Sequence, residues 1–222
     1  MGKFLSMYLD SPMQAWGYMS KFDRRTSFNC PTKSGVIGML CAAMGIPKSD
    51  TESLAELAKL DMSVYSLSPM ERLTDFHTVG GGFTKDLNPQ NIVRTAKGTI
   101  GNTVVTRREY LLDAKFAVIL GGNGDLLVKI ESALKNPKWG VWLGRKSCIP
   151  TVPIFQGCHD LMGEAVESAK AAFDKTYGRS CEIRRAITEV AEFADGSDSL
   201  MDVPLDFSEG KRSFSARRIR VE

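Results

Sequence analysis

The stretch that most constrains this chain is residues 72–110, which carry no clear core element. Apolar segments that read as strands flank it at residues 62–67 and 116–120, with 48 residues between them. Gly80-Gly81-Gly82, Asn88-Pro89 and several threonines fall inside. A compact domain seldom holds so long a connection unless the segment is functional or disordered. Val104-Val105 and Tyr110-Leu111 are placed to pair with earlier residues, so a projecting hairpin is expected.

Around this insertion strands and helices alternate. Residues 4–9 read as a first strand, closed by the turn formers Asp10-Ser11-Pro12. A helix follows Pro31, with Thr32 or Ser34 as its N-cap. It carries Val36, Met39, Leu40, Ala43 and Met44 at helical spacing and stops at Gly45, before Pro47. Gly35, Gly38 and Ala42 give that helix a small-residue face, suited to close approach by a sheet or a ligand. Ser49-Asp50-Thr51-Glu52 reads as the capping box of a short helix reaching Leu60. The unbroken apolar run 116–120 predicts a central strand covered on both faces. Gly121-Gly122-Asn123-Gly124 turns into a helix carrying Leu126, Leu127, Ile130, Ala133 and Leu134, ended by Asn136-Pro137. A further strand is expected at Val141-Trp142-Leu143. The order β-α-β-insertion-β-α-β predicts an α+β fold of the ferredoxin-like or RRM type over residues 1–150. Residues 151–222 add a helix (Ala165, Val166, Ala169, Ala172, Phe173) and a C-terminal β extension, whose last strand sets Arg218 and Arg220 opposite Ile219 and Val221.

Composition narrows the function. With 222 residues and 43% hydrophobic side chains, the chain can bury one sizeable core. No apolar run approaches the roughly 20 residues that a bilayer span needs, and Asp10 arrives too early for a secretory leader. The five scattered cysteines read as reduced thiols, so a soluble cytoplasmic protein is expected. Net charge is only +3, yet its distribution is uneven: residues 160–206 hold eleven acidic and five basic side chains, while residues 207–222 hold two and five. Basic ends and a basic middle around an acidic segment suit a one-sided positive surface facing a phosphate backbone.

Metal chemistry is poorly supported. Cys148, Cys158 and His159 lack the CxxC pair of a zinc site, so neither metal nor cofactor is expected. The glycine turn before Asn123 lacks the lysine and hydroxyl of a P-loop. His77 is open to two roles: a general acid/base for metal-independent RNA cleavage, with Tyr110 and Lys33 as candidate assistants, or a loop side chain that hydrogen-bonds RNA or backbone. Arginine doublets stand at Arg24-Arg25, Arg107-Arg108 and Arg217-Arg218, with Arg145-Lys146 beside them in kind. Neighbours on a strand point to opposite faces, so one member of each pair suffices for a given ligand. Arginine forks phosphate and stacks on bases. Trp16 and Phe76 offer stacking faces, although core packing is the better account of Trp16.

In chain order the sequence carries Met13-Gln14-Ala15-Trp16-Gly17, Pro31-Thr32-Lys33-Ser34-Gly35-Val36-Ile37-Gly38, Asp75-Phe76-His77-Thr78, Arg108-Glu109-Tyr110-Leu111-Leu112-Asp113-Ala114 and Leu143-Gly144-Arg145-Lys146-Ser147-Cys148. Together they resemble the CasD family of type I-E CRISPR Cascade complexes, within the RAMP superfamily. The likeness runs over about residues 4–158, with a looser echo at Arg212-Ser213-Phe214-Ser215-Ala216-Arg217. It implies an RRM-like domain with a projecting thumb, about residues 78–107, and a non-catalytic subunit capping the 5′ handle of CRISPR RNA. Implied partners are CRISPR RNA, CasC-type backbone subunits and the large PAM-reading subunit, with target DNA reached through the complex. Relatives in type I-C systems cleave the repeat, which keeps a His77 endoribonuclease as the alternative. A generic RNA-binding module is a third reading. The residues expected to bind RNA are Arg24, Arg25, Lys33, Ser34, His77, Arg107, Arg108, Tyr110, Arg145 and Lys146; none is assigned a catalytic role.

Overall fold

The computed structural model describes residues 3–20, 22–79, 97–99, 101 and 103–222. Its main sheet is built on β1 (Phe4–Asp10) and β9 (Lys115–Gly121), which pair antiparallel from Phe4↔Gly121 to Asp10↔Lys115. On β1, Leu5, Met7 and Leu9 face one core, and Tyr8 faces another with Ala117 of β9. Both strands therefore read as nearly unbroken apolar runs, as strands covered on two sides must.

One side is covered by α1 (Lys33–Met44) and α3 (Gly124–Lys135), the other by α4 (Met162–Tyr177). Ala169 and Phe173 of α4 pack on Tyr8, and Ser6 Oγ donates to the Ala165 carbonyl at 2.6 Å. Thr32 caps α1 through the Gly35 N–H, and Gly45 ends it at φ 72°, where a side chain would be strained. The short helix α2 (Thr51–Ala58) is capped by Asp50, which accepts from Ser53 N–H, in place of the expected Ser49.

The sheet continues through β6 (Asp61–Ser66) on one side of β9 and through β10 (Phe155–His159) on the outer side of β1. Beyond β6 lie β11 (Arg185–Glu189), β13 (Ser213–Val221) and β12 (Asp198–Asp206), giving seven strands in the order β10-β1-β9-β6-β11-β13-β12. The strand expected at residues 141–143 is absent. Leu143 N–H instead donates to Cys148, its carbonyl accepts from Ala15 N–H, and Gly144 at φ 102° turns the chain into a tight loop. The edge position is taken by β10, whose register with β1 shifts between Ser6 and Met7, opposite Gly157 at φ 137°.

The insertion begins and ends as a hairpin. β7 (Glu71–Val79) pairs antiparallel with β8 (Val104–Leu112) over nine positions, from Glu71↔Leu112 to Val79↔Val104. Most of the expected thumb between residues 78 and 107 lies outside the described residues. The base of β8 also pairs with β2 (Met13–Gln14) and with β4 (Arg24–Arg25). Next to these, β3 (Trp16–Gly17) pairs with β5 (Ser27–Phe28). Among the described residues no helix is long and apolar enough to cross a membrane.

Candidate nucleic-acid interface

The four N-terminal motifs and the Leu143–Cys148 motif meet in space. Gln14 is fully buried; its amide donates to the carbonyls of Leu9 and Ala114, and its oxygen accepts from the Trp16 indole N–H. Trp16 is therefore a core residue with a satisfied polar tip. Its ring lies against α1 so closely that a Cβ on Gly35 would stand 2.8 Å from Trp16 Cε3. The loop after Leu143 docks on the same spot: a Cβ on Gly144 would lie 1.7 Å from the Ala15 carbonyl oxygen.

That docking positions Arg145. Its Nη1 donates to the Glu109 carbonyl and its Nη2 to the Arg25 carbonyl, each at 2.8 Å, while the guanidinium lies 4.5 Å from the centre of the Tyr110 ring. Arg145 thus ties β8 to β4. Those two strands run parallel with Arg24 beside Arg107 and Arg25 beside Arg108. Strand alternation splits each doublet between two faces, putting Arg25, Arg108 and Tyr110 on one and Arg24, Arg107 and Glu109 on the other. On the second face Arg107 is paired with Asp23 at 3.1 Å and stacked on Phe76, and Arg72 is paired with Glu109 at 3.0 Å. On the first face, Arg25, Arg108 and Arg145 line a broad groove of about 1370 Å³.

The rest of the groove lining draws on segments far apart along the chain. Tyr18, Trp139, Trp142, Phe207 and Phe214 line it, together with Arg212 and the small face of α1 at Gly35, Gly38 and Ala42. Trp139 is 47% exposed, its backbone N–H held by the Ala42 carbonyl at the end of α1. Lys146 stands outside the lining but sits 5.7 Å from the centre of the Trp142 ring. Sequence patterning does not single out Trp139, Trp142 or Phe207, because each is a lone aromatic whose role follows from contacts far along the chain.

Other expected site residues are not in the groove. Lys33 is buried, with its ammonium 2.8 and 2.9 Å from the two Glu189 oxygens. The Lys33 N–H at the start of α1 donates to Asp202 at 2.7 Å, so a carboxylate of this chain already occupies the anion position expected for phosphate. Ser34 does line the groove. His77 is exposed on the Arg108 face, opposite Thr106. Tyr110 lies four positions along β8 from Thr106, roughly 13 Å at strand rise. His77, Tyr110 and Lys33 therefore do not converge. Among the described residues no cluster of His, Cys, Asp or Glu is arranged to hold a metal ion.

Residues 4–220 match the model of the family described as CRISPR-associated protein (Cas_Cas5). The chain belongs to the Cas5 family. The Cascade subunit CasD of Escherichia coli strain K12 is 34% identical to this Cas5 protein over 172 residues, covering 71% of each chain. A chain of a solved CRISPR RNA-guided surveillance complex superposes with a TM-score of 0.77 at 31% identity, over 99% of this Cas5 chain and 89% of that one. A crystal structure titled as a Cas protein matches with a TM-score of 0.66 at 28% identity, over 99% and 93%. The resemblance to CasD carried by the five ordered motifs thus holds over the 71% of this Cas5 chain that the CasD alignment covers, and the Cas5 family model extends over residues 4–220.

Proposed function

We propose that this chain is the CRISPR RNA-binding subunit of a type I-E Cascade surveillance complex, where it caps the 5′ handle without cutting RNA. The observation that carries the reading is that Arg25, Arg108 and Arg145 line one open groove together with aromatic rings. Guanidinium groups fork phosphates, and flat rings stack on unpaired bases, the two contacts a single-stranded RNA offers. In support, the strand order β10-β1-β9-β6 is the 4-1-3-2 order of a ferredoxin-like fold. The β7–β8 hairpin is read as the stem of the thumb that inserts at the handle–spacer junction. Arg24, Arg107, His77 and Lys146 are read as peripheral contacts along that stem and the loop after Leu143. The spread of His77, Tyr110 and Lys33 favours a cap over a nuclease. CasC-type backbone subunits and the large PAM-reading subunit are the proposed protein partners, in the cytoplasm.

The test is RNA binding by the purified chain across a salt series. If about five phosphates are neutralised, log K falls against log salt with a slope near −3.5. Arg108→Ala should weaken binding about tenfold and flatten the slope by about 0.7. Repeat RNA incubated with the chain in EDTA should stay intact on a denaturing gel. A flat salt dependence, or a discrete cut that disappears in His77→Ala, overturns the reading.

A further inference from the structure

Arg212 stands in the turn between β12 and β13, far along the chain from the arginines of the N-terminal motifs. Its guanidinium carbon lies 5.4 Å from the centre of the Phe207 ring and 5.5 Å from that of Phe214. Most other arginines near it in sequence or in kind are engaged with oxygen: Arg217 with Asp202, Arg218 with the carbonyls of Phe193 and Gly196, Arg220 with the carbonyl of Asp195. Arg107 and Arg72 have carboxylate partners. Among the described residues, no hydrogen bond or ion pair engages the Arg212 guanidinium. Two rings hold it, and neither satisfies its N–H groups as a carboxylate would.

The turn itself is fixed. Asp206 accepts from Ser208 N–H at 2.7 Å, and Ser208 Oγ donates to the Lys48 carbonyl at 3.4 Å, tying the turn to the chain after α1. Phe207 lies over α1, where a Cβ on Gly38 would meet its ring at 3.8 Å. Arg212 is therefore an exposed cation held between rings on a braced turn, and it lines the same groove as Arg25, Arg108 and Arg145. At about 1370 Å³ that groove exceeds the size of an ordinary small-molecule pocket and suits a polymer.

We propose that Arg212, clamped by Phe207 and Phe214, is a second phosphate-binding point for single-stranded RNA, contributed by the C-terminal β extension. It rests on the RNA-binding reading of the groove. An arginine already confined between two rings loses less side-chain freedom when it forks a phosphate. The β12–β13 turn thus does more than finish the sheet: it closes one reach of the groove over the RNA.

The experiment measures fluorescence anisotropy of a labelled single-stranded RNA of about ten nucleotides with the full chain over a salt series. Arg212→Ala should bind about tenfold more weakly, with the slope of log K against log salt flatter by about 0.7. Arg212→Lys should keep the slope while recovering only part of the affinity, because it retains the charge without the fork. Thermal melting of both variants should match the parent, since Arg212 is exposed. Arg108→Ala is run alongside. If Arg108→Ala weakens binding and Arg212→Ala matches the parent in affinity and slope, the Arg212 inference fails alone. If the parent shows no salt-dependent RNA binding, the reading of the groove fails and takes this inference with it. If Arg212→Ala loses binding to a poly-glutamate peptide while RNA binding is unchanged, the occupant is an acidic protein segment and the inference fails.

Discussion

Cys30 sits one residue before the Pro31 that opens α1's cap, and it is 5% exposed. Burial pushes its thiol up to about 12, from an ordinary value of 9.0, with nearby Arg217 offsetting part of the effect. The folded chain therefore holds the thiol proton more tightly than the unfolded chain does. Its stabilising contribution is complete below about pH 9 and is lost as pH rises from 9 towards 12. Between pH 8 and pH 10 this one group should remove roughly 1 kcal/mol of unfolding free energy. Urea titrations of the parent and of Cys30→Ala at the two pH values check it. The variant starts lower by the methyl-sized void it leaves, but it should lose less on going alkaline. Equal alkaline losses in both chains would place the effect elsewhere, for example at Cys158, whose thiol burial and Glu131 also push up to about 11.

Among the elements, the loop after Leu143 shows how a binding residue depends on backbone it does not touch. Gly144 adopts φ 102° with its open side against the Ala15 carbonyl. Gly144→Ala meets both a strained conformation and a 1.7 Å overlap with backbone, which cannot swing aside as a side chain would. The expected cost is about 2–3 kcal/mol, and the loop's displacement should carry Arg145 away from Glu109 and Arg25, weakening RNA binding at least tenfold. Denaturant midpoints and anisotropy on one preparation measure both effects. Elements whose ends are written locally were legible in the sequence: Thr32 and Gly45 bound α1, and Asn123 caps α3 through Asp125 and Leu126 N–H. The edge strand was not. Phe155–His159 lacks an alternating apolar pattern, because each of its residues is only partly buried, and its place is set by pairing with β1, far back in the chain. The Val141-Trp142-Leu143 triplet looked like a strand for its side chains, yet its backbone bonds close a loop. Within the site, the charge of each arginine was legible but its face was not. Arg107 and Arg108 part by strand alternation, but which of them joins Arg25 is set by the β4–β8 register, and Lys33 leaves the site because Glu189, 156 residues away, encloses it.

At the scale of the molecule, a buried four-charge network joins the C-terminal extension to the start of α1. Arg217, 6% exposed, donates from Nε and Nη2 to the two Asp202 oxygens at 2.7 and 3.1 Å, and from Nη1 to Glu189 at 3.3 Å. Asp202 also accepts the Lys33 N–H, and Glu189 accepts the Lys33 ammonium and the Met62 N–H. Two cations meet two carboxylates with their hydrogen-bonding groups engaged, the condition under which buried charge is tolerated. Five elements converge there: α1, β6, β11, β12 and β13. Removing Arg217 leaves the Asp202 carboxylate charged, dry and without its counter-charge. Arg217→Ala should therefore lower the unfolding free energy by about 3–5 kcal/mol, whereas Arg218→Ala, which removes a half-buried guanidinium with no carboxylate partner, should cost less, about 1–2 kcal/mol. Because the network spans both halves of the sheet, the loss should appear as one earlier cooperative transition, with no separate melting of β11–β13. Urea unfolding followed in parallel by far-ultraviolet circular dichroism and tryptophan fluorescence distinguishes these outcomes, since Trp16 lies in the core beside α1. Coincident midpoints displaced together are expected. A dichroism change that precedes the fluorescence change would mean the extension lets go first, and that the network seats it without uniting it with the rest of the chain.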